Sequence, residues 1–362
     1  MRAKGLRIIV LLCTLSLLCG CTGKGVQGTT RDMSYAGISP SVEQTEEYMY
    51  ETLCDSDKHI YEQVLECIMS HDKGVRLDCD LDTLSRIYYC VRRDHGEIFW
   101  VDGYNYTSRK SGVVFEPVYS MDYETRCNYS YRVSTIVSRL VTKYKDLSDY
   151  EKVKAVYEYI IKNVEYDERS VNNQNILGVF LDRGAVCLGS ANAVQTVLSR
   201  LGVDSIVITG ETELCAHAWN LVKIEGEWYH LDITAGMLAY NVTKYVDYRY
   251  MTMTDGEAYL TRSTDSLVML PECDNTTYEY FRQEGLYFDK DDLNQIIKIA
   301  KQGYAERTDC LALRFATLDD LEFVRDELIQ ENLREHITDL GRIRYSVDKD
   351  FCVMILDFSE SN

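Results

Sequence analysis

Three residues stand in segments whose composition suits nucleophilic catalysis, and the first is a cysteine. Cys187 lies in "RGAVCLGSANA", between a glycine turn and a run of small residues that opens a helix predicted to end at Gly202. Cysteine attacks carbonyl carbon as its thiolate, and a helix N-terminus favours the thiolate because the N–H groups there are unpaired. The Cys187 N–H could also donate a hydrogen bond to the oxyanion that forms when the thiolate attacks a carbonyl. A buried cysteine that begins a core helix would give the same local pattern.

A predicted hairpin supplies a histidine with a carboxylate partner. In "HAWNLVKIEGEWYHLD", Glu225-Gly226 predicts the turn, so residues paired across the two strands have numbers that sum to 451. His217 and Asp232 then become diagonal neighbours on one face, about 7–8 Å apart at the backbone, where their side chains can meet. A shift of one residue in register would put them on opposite faces of the sheet.

Cys187, His217 and Asp232 would together form a catalytic triad. The carboxylate would fix one imidazole tautomer, which leaves the second nitrogen to take the thiol proton and return it to a leaving amine. The segments "GAVCLGSANA", "AHAWNLVKI" and "WYHLDIT" resemble the transglutaminase-like superfamily of papain-fold thiol enzymes. The resemblance implies Cys187 as the nucleophile, His217 as the general base and acid, and Asp232 as the orienting group.

The same resemblance implies a fold and a setting. The fold is α+β, with a papain-like core in which the helix that bears Cys187 packs on an antiparallel sheet. The resemblance is close from Ser148 to Leu260. More loosely, "HGEIFWVDGYNY" and "LPECDNTTYEYFRQEGLYFD" are similar to the flanking regions of bacterial lipoproteins and surface proteins that carry this domain.

The chain departs from the family pattern beside the triad. Gly189-Ser190-Ala191 stands where Gly-Tyr-Ala is common, and Thr234-Ala235 where Thr-Trp is common. Tyr157-Glu158 replaces a His-Asp pair on the preceding helix. No triad member is lost, so the departures leave the substrate class open, and Ser190 is where we expect specificity to be set. The second oxyanion donor is unassigned, with candidates at 173–175.

The first residues predict export and lipid attachment. Three basic residues precede an apolar run that is too short for a permanent membrane helix, which is the pattern of a signal peptide over residues 1–20. The run ends in Leu18-Cys19-Gly20-Cys21, which resembles the bacterial lipobox and makes Cys21 the lipid anchor. A plain signal peptide with cysteines is the alternative. Residues 21–45 predict a flexible tether. We therefore expect an exported protein, anchored to the cell membrane and facing outside.

Charge limits the partners of the protein. The net charge of the 362 residues is −19, and removal of the three basic residues of the predicted signal would lower it to −22. A surface this acidic excludes nucleic acid as a partner, because phosphates are repelled. It also resists anionic lipid headgroups, so membrane association should depend on the lipid anchor.

The remaining cysteines suggest packing more than chemistry. Of the 13 cysteines, Cys67, Cys90 and Cys352 stand within apolar patterns and are predicted to be buried free thiols. One or two disulfides stay open, because export favours them. Cys215 precedes His217 by two residues and leaves open a zinc site with Cys187 and Asp232, although the paired spacings of zinc motifs are absent.

Pattern changes divide the chain. After the signal peptide and tether we predict an N-terminal region of helices and strands, a transglutaminase-like catalytic core and a C-terminal α+β domain. A capping box from Ser148 to Glu151 opens one core helix. The predicted bounds are 46–135, 136–265 and 266–362.

We therefore expect a surface-anchored thiol enzyme that cleaves peptide or glutamine amide bonds through a thioester intermediate. Water as the acceptor gives a peptidase or amidase, which we favour because water is always available; a lysine amine gives a cross-linking acyltransferase. The expected partner is a peptide or protein substrate, including peptides of the cell wall, and no cofactor or metal is expected. The alternative is a non-catalytic surface lipoprotein that uses the fold to bind protein or peptide.

Overall fold

The computed structural model describes residues 47–329, 333–337 and 343–359 of the chain. The predicted signal peptide, the Cys21 anchor and the tether lie outside the described residues. Within the described part, no helix combines the length and the apolar character needed to cross a membrane. Helices and strands are mixed throughout this part, and the predicted α+β class is confirmed.

The N-terminal region places helices beside a small antiparallel sheet. Its elements are α1 (Tyr48–Glu51), α2 (Asp55–Met69), β1 (Val75–Leu77), α3 (Leu81–Asp94), β2 (Val101–Arg109) and β3 (Gly112–Tyr119). Strands β2 and β3 form a hairpin, and β1 pairs with the other edge of β3. Helix α3, which the sequence patterns did not single out, begins at Asp80, whose carboxylate accepts the Thr83 N–H.

The central region contains the segments that carry the predicted triad. Its elements are α4 (Tyr123–Tyr144), α5 (Asp149–Asn163), β4 (Glu165–Tyr166), β5 (Gly184–Ala185), α6 (Cys187–Arg200), β6 (Ser205–Thr212), β7 (Ala216–Ile224), β8 (Glu227–Leu231), α7 (Ile233–Thr243), α8 (Asp255–Ala258) and β9 (Arg262–Thr264). The four longer strands form an antiparallel sheet in the order β8-β7-β6-β9. Helix α6 packs on this sheet through Ala191, which meets Val207 and Ala218.

Several predicted boundaries of this region are confirmed. Ser148 and Glu151 form the capping box that opens α5. Helix α6 begins at Cys187, and Gly202 follows its end with a φ of 76°. A positive φ of this size is cheap for glycine, which lacks a Cβ atom. The helix that presents Cys187 is therefore defined at both ends by its own sequence.

The β7–β8 hairpin has the register that the sequence predicts. Glu225 and Gly226 both adopt positive φ, 50° and 91°, as the two-residue type I′ turn requires. Ile224 pairs with Glu227, and the ladder continues in step to Asn220 with Leu231. The predicted sum of 451 is confirmed, so the side chains of His217 and Asp232 project from the same face.

The C-terminal region has a hydrophobic core of its own. Its elements are α9 (Tyr280–Gln283), β10 (Tyr287–Phe288), α10 (Leu293–Ala305), β11 (Cys310–Phe315), α11 (Leu318–Glu327), α12 (Leu333–His336), β12 (Arg344–Asp348) and β13 (Val353–Asp357). The sheet order is β10-β11-β13-β12, and β12 and β13 form the predicted hairpin. Phe315 and Phe358 lie in this core, whereas the N-terminal and central regions share one larger hydrophobic cluster. The predicted domain bounds remain a prediction.

The cysteines of the described part are all free thiols. Cys67 and Cys90 are buried as predicted, and Cys273 is buried as well, whereas Cys352 is only half-buried. Burial raises the pKa of the Cys67 thiol to about 11 and that of Cys90 to about 12. These two thiols are therefore kept protonated and unreactive at neutral pH.

Candidate active site

Asp232 is fixed by three hydrogen-bond donors at the end of the β7–β8 hairpin. Its Oδ2 lies 2.8 Å from His217 Nε2 and 3.1 Å from Arg262 Nη2, and its Oδ1 accepts the Ala235 N–H at 3.1 Å. The side chain is only 1% exposed. Burial alone would raise the pKa of Asp232, but His217 and Arg262 outweigh it and hold the pKa below its usual value. Asp232 is therefore a fixed, ionised acceptor.

His217 lies between the carboxylate and the thiol. Its Nε2 bonds Asp232, and the Cys187 thiol lies within hydrogen-bonding reach of the imidazole. Because Nε2 is already used, Nδ1 is the nitrogen available to the thiol. Burial acts to lower the pKa of His217, but Asp232 first and Cys187 second outweigh it, and the pKa is raised to about 10. At neutral pH the imidazole is therefore protonated and carries a positive charge close to the thiol.

This electrostatic arrangement makes a testable prediction about titration. His217 should remain protonated through neutral pH and titrate near pH 10. Asp232→Asn keeps the size of the side chain and its ability to cap α7, but removes the charge that holds the proton. The pKa of His217 should then fall, because burial opposes the charged form. Imidazole NMR resonances measured against pH test this, with Asp319→Asn, an exposed acid, as control. An unchanged His217 titration in Asp232→Asn would contradict it.

Cys187 occupies the first position of α6. The N-cap residue is Val186, which offers no side-chain acceptor to the first turn. The first-turn N–H groups, including that of Cys187, therefore remain available to an oxyanion at the thiol. The helix dipole also favours negative charge at this end.

Gly189 lets a neighbouring loop approach the start of α6. A Cβ atom on Gly189 would lie 2.3 Å from the carbonyl oxygen of Asn173, closer than atoms can approach. That same oxygen accepts the Val186 N–H at 3.0 Å. The small residues of the segment thus serve close packing of the loop against the helix as well as access to the thiol.

The three candidates for the second oxyanion donor differ in their surroundings. Asn173 Nδ2 donates to the Glu168 carbonyl at 2.7 Å, and Asn175 Oδ1 accepts the Leu177 N–H at 2.9 Å. The amide nitrogen of Asn173 is thus used within the loop, whereas Asn175 uses only its oxygen there. Gln174 is exposed and makes no side-chain hydrogen bond within the part that the structure describes. Gln174 and Asn175 therefore remain candidates for the second donor.

Trp219 and His230 support the imidazole from behind. The Trp219 ring is fully buried and stacks on His217, with ring centroids 5.8 Å apart and planes 18° apart. Its Nε1–H donates to His230 Nδ1 at 2.9 Å, and His230 Nε2 donates to Asp255 Oδ1 at 2.7 Å. Because an indole N–H can only donate, His230 is the tautomer with its proton on Nε2. Trp219 therefore packs against the imidazole of His217, and His230 holds the indole ring in place.

His230 belongs to the one group of possible metal ligands found among the described residues. Its side chain, Asp255 and Cys273 bring their donor atoms within 4.8 Å of one another. A metal at Nε2 would require that nitrogen to lose its proton while Trp219 still occupies Nδ1, which leaves an imidazolate. The donor set therefore does not fit a divalent ion. Cys215, considered for zinc from the sequence, is exposed and not part of this group.

Two features of the site differ from the sequence-based expectations. Ser190, expected to set specificity, is fully buried and donates to Met237 Sδ at 3.5 Å, so that expectation is wrong. It packs between α6 and α7 and lines no open surface. Arg262 was missed because its strand carries no recognisable motif. Its only sequence signal is a basic residue in a short polar strand.

Comparison with known families agrees with this geometry. Residues 134–233 match the model of the transglutaminase-like superfamily. The matched segment contains Cys187, His217 and Asp232 and ends before Arg262. The predicted resemblance to this superfamily is therefore confirmed for residues 134–233, and the predicted α+β papain-like fold is confirmed. No curated protein matches the chain.

Solved structures offer distant likenesses. A crystal structure of a TGase is 17% identical with a TM-score of 0.26, over 44% of this chain and 50% of that one. A candidate cysteine protease from Cytophaga hutchinsonii is 18% identical with a TM-score of 0.26, over 37% and 62%. Menin, whose structure reveals the binding site for Mixed Lineage Leukemia protein, is 20% identical with a TM-score of 0.23, over 32% and 26%. Each match spans less than two thirds of the other protein.

Proposed function

We propose that the protein is a thiol enzyme that acts on peptide or glutamine amide bonds. The observation that carries the proposal is the hydrogen bond between His217 and Asp232, formed where the imidazole also reaches a cysteine at a helix N-terminus. A buried carboxylate, an imidazolium and a thiol in this order are the parts of a nucleophilic cysteine site. Arg262 adds a second fixed partner to the carboxylate.

The proposed reaction has two halves. The Cys187 thiolate attacks the amide carbonyl carbon, and the oxyanion receives the N–H of the same residue. His217 Nδ1–H donates its proton to the leaving nitrogen, the C–N bond breaks, and ammonia or an amine departs from the thioester. In the second half, neutral His217 takes a proton from water or from a lysine amine, which attacks the thioester and releases Cys187.

We favour water as the acceptor, as the sequence suggested, because hydrolysis needs no second binding site for an amine. The proposal extends to location: export and a lipid on Cys21 would place the enzyme at the outer face of the cell membrane, where extracellular peptides are its substrates. That part of the proposal rests on the sequence of residues 1–21.

The experiment measures three products at once. The protein is incubated with a blocked glutamine dipeptide, or with a lysine-dimethylated protein plus a fluorescent primary amine. Ammonia without label would indicate an amidase, new N-termini a peptidase, and covalent fluorescence an acyltransferase. Each product should disappear in His217→Ala, while Cys215→Ser, an exposed cysteine close in sequence, should leave it unchanged.

Thiol reactivity separates an enzyme from a binding protein of the same fold. At neutral pH, iodoacetamide should alkylate Cys187 at least about ten times faster than a small free thiol, because an adjacent imidazolium and a helix N-terminus favour the reactive form of a cysteine. The excess should vanish in His217→Ala. If Cys187 reacts no faster than a free thiol, His217→Ala changes nothing and none of the three products forms, the protein is a binding module and not an enzyme.

A further inference from the structure

A second feature of α6 is a cavity along the face that carries Leu188 and Asn192. It has a volume of about 320 Å³ and lies between α6, α3 and β2. Leu188, which directly follows Cys187, lines it, and so does Asn192 one helical turn later on the same face. The opposite wall is formed by Tyr88, Tyr89, Arg92 and Arg93 of α3. The N-terminal region therefore forms one wall of a cavity whose other wall includes Leu188, the residue that follows Cys187 in the chain.

The charge of this cavity is opposite to that of the protein. Arg92 and Arg93 line it, and the acidic residue in its lining is Asp102, whose side chain is exposed to solvent. Neither arginine has a carboxylate within ion-pair distance among the described residues, although the whole chain carries a net charge of −19. An unpaired arginine pair is unusual in so acidic a protein, since carboxylates outnumber its basic groups.

The arginines are held in place through neutral groups. Arg92 Nη1 donates to the Ile98 carbonyl, and Arg93 Nη2 donates to Thr209 Oγ1 at 3.3 Å. The Arg93 guanidinium also lies over the Tyr89 ring, 5.0 Å from its centroid. Burial lowers the pKa of Arg92, because the loss of water outweighs the more distant charges of Glu97 and Asp102. A negatively charged group in the cavity would offset that cost.

Three buried polar atoms around the cavity lack hydrogen-bond partners among the residues that the structure describes. They are Tyr89 Oη, Arg93 Nε and Asn192 Oδ1, and Asn192 as a whole is only 3% exposed. Buried polar groups in proteins are almost always hydrogen-bonded, so three orphans on one cavity indicate a group that binds there. Two of them are donors, which suits an anion, and the third is an acceptor, which suits a nearby amide N–H.

We propose that this cavity is a substrate subsite that takes a carboxylate of the peptide, held by Arg92, Arg93 and Tyr89 beside the amide bond that Cys187 attacks. The planar guanidinium matches a carboxylate with two parallel hydrogen bonds. Asn192 Oδ1 accepts a backbone N–H of the same peptide. This inference rests on the proposed function, since it makes the occupant a part of the substrate.

Binding to an inactive protein tests the subsite without relying on catalysis. The Cys187→Ala protein is titrated by calorimetry with three acetylated pentapeptides centred on glutamine. The first has glutamate on both sides and an amidated end, the second has glutamine in those places, and the third is the second with a free terminal carboxylate. We expect the first to bind about tenfold tighter than the second, as for a charge-assisted hydrogen bond. Tight binding of the third would assign the carboxylate to a chain end.

Variants locate the effect. Arg93→Gln in the Cys187→Ala background should abolish the preference for the charged peptide, whereas Arg139→Gln, an exposed arginine on α4, should keep it. Tyr89→Phe removes a single oxygen and should weaken the preference about threefold, and it guards against a fold defect in Arg93→Gln. Equal binding of all three peptides, unchanged by Arg93→Gln, overturns the subsite.

The same peptides distinguish this inference from the proposed function. If wild-type protein turns over the neutral peptide but shows no preference for the charged one, the function stands and the subsite fails. If the Cys187→Ala protein prefers the charged peptide through Arg93 while wild-type protein turns over none of the three, the carboxylate site stands and the enzyme proposal fails.

Discussion

Replacement of Cys187 by serine is expected to lower amide cleavage or transfer by about 10⁴-fold or more. Serine has nearly the same size, so α6 and its packing on the sheet should persist. The imidazole would face a hydroxyl, which ionises far less readily than a thiol and is therefore a much weaker nucleophile beside His217. Product formation by the wild-type and variant proteins is the measurement.

The control for this substitution is Cys215→Ser. Cys215 lies two residues before His217 but is exposed, and its Sγ lies 3.9 Å from Thr212 Oγ1. Its replacement should leave activity within about twofold, because surface substitutions rarely perturb a fold. Residual activity above about 1% in Cys187→Ser, or a similar loss in Cys215→Ser, would contradict Cys187 as the nucleophile.

Replacement of Arg262 by methionine is expected to destabilise the protein by about 3–5 kcal/mol. Arg262 and Asp232 form a buried ion pair, with side chains 4% and 1% exposed. Removal of the arginine leaves a buried carboxylate with one positive partner fewer, and that desolvated charge is expensive. The free energy of unfolding, measured by urea denaturation, checks this.

An exposed pair of the same chemistry gives the matched comparison. Arg86 lies 2.7 Å from Asp57, but its side chain is 36% exposed. Arg86→Met should cost only about 0–1 kcal/mol, because solvent screens the pair. A second comparison, Arg262→Lys, keeps the charge but not the planar fork, so it should recover part of the lost stability. Equal losses in Arg262→Met and Arg86→Met would show that Arg262 is not part of a buried pair.

The sequence predicts best what is local in the chain. The meeting of His217 and Asp232 follows from one turn at Glu225 and Gly226 and from the two-residue alternation of the strands on either side. The start of α6 likewise follows from the residues around Cys187. These features need only short-range rules, because the residues that determine them are neighbours along the chain.

The parts that could not be predicted depend on contacts between distant segments. Arg262 reaches Asp232 because β9 pairs with the far edge of β6, which no pattern near Arg262 specifies. The cavity exists because α3 packs near α6, where the Gln195 side chain bonds Gly96 N–H and the Arg93 carbonyl. A contact made by one amide side chain produces no periodic pattern in the sequence, so it cannot be predicted from hydrophobic periodicity.

Helix α7 shows how one local signal can mislead. Ile233 and Thr234 are β-branched, and residues of this kind favour continuation of the preceding strand. In the structure Asp232 is instead the N-cap of α7, and its carboxylate accepts the Ala235 N–H at 3.1 Å. Aspartate is a preferred N-cap residue, so the signal was present. One carboxylate thus ends a strand, begins a helix and orients His217.

The two-residue turn of the β7–β8 hairpin has a consequence for how this protein can diverge among its relatives. Every residue between His217 and Asp232 counts toward their meeting, since one insertion or deletion in that interval moves the pair to opposite faces. The exposed positions of the turn tolerate exchange of side chains that accept positive φ, but not a change in number. Natural selection on this interval should therefore act more strictly on its length than on the identity of most of its residues.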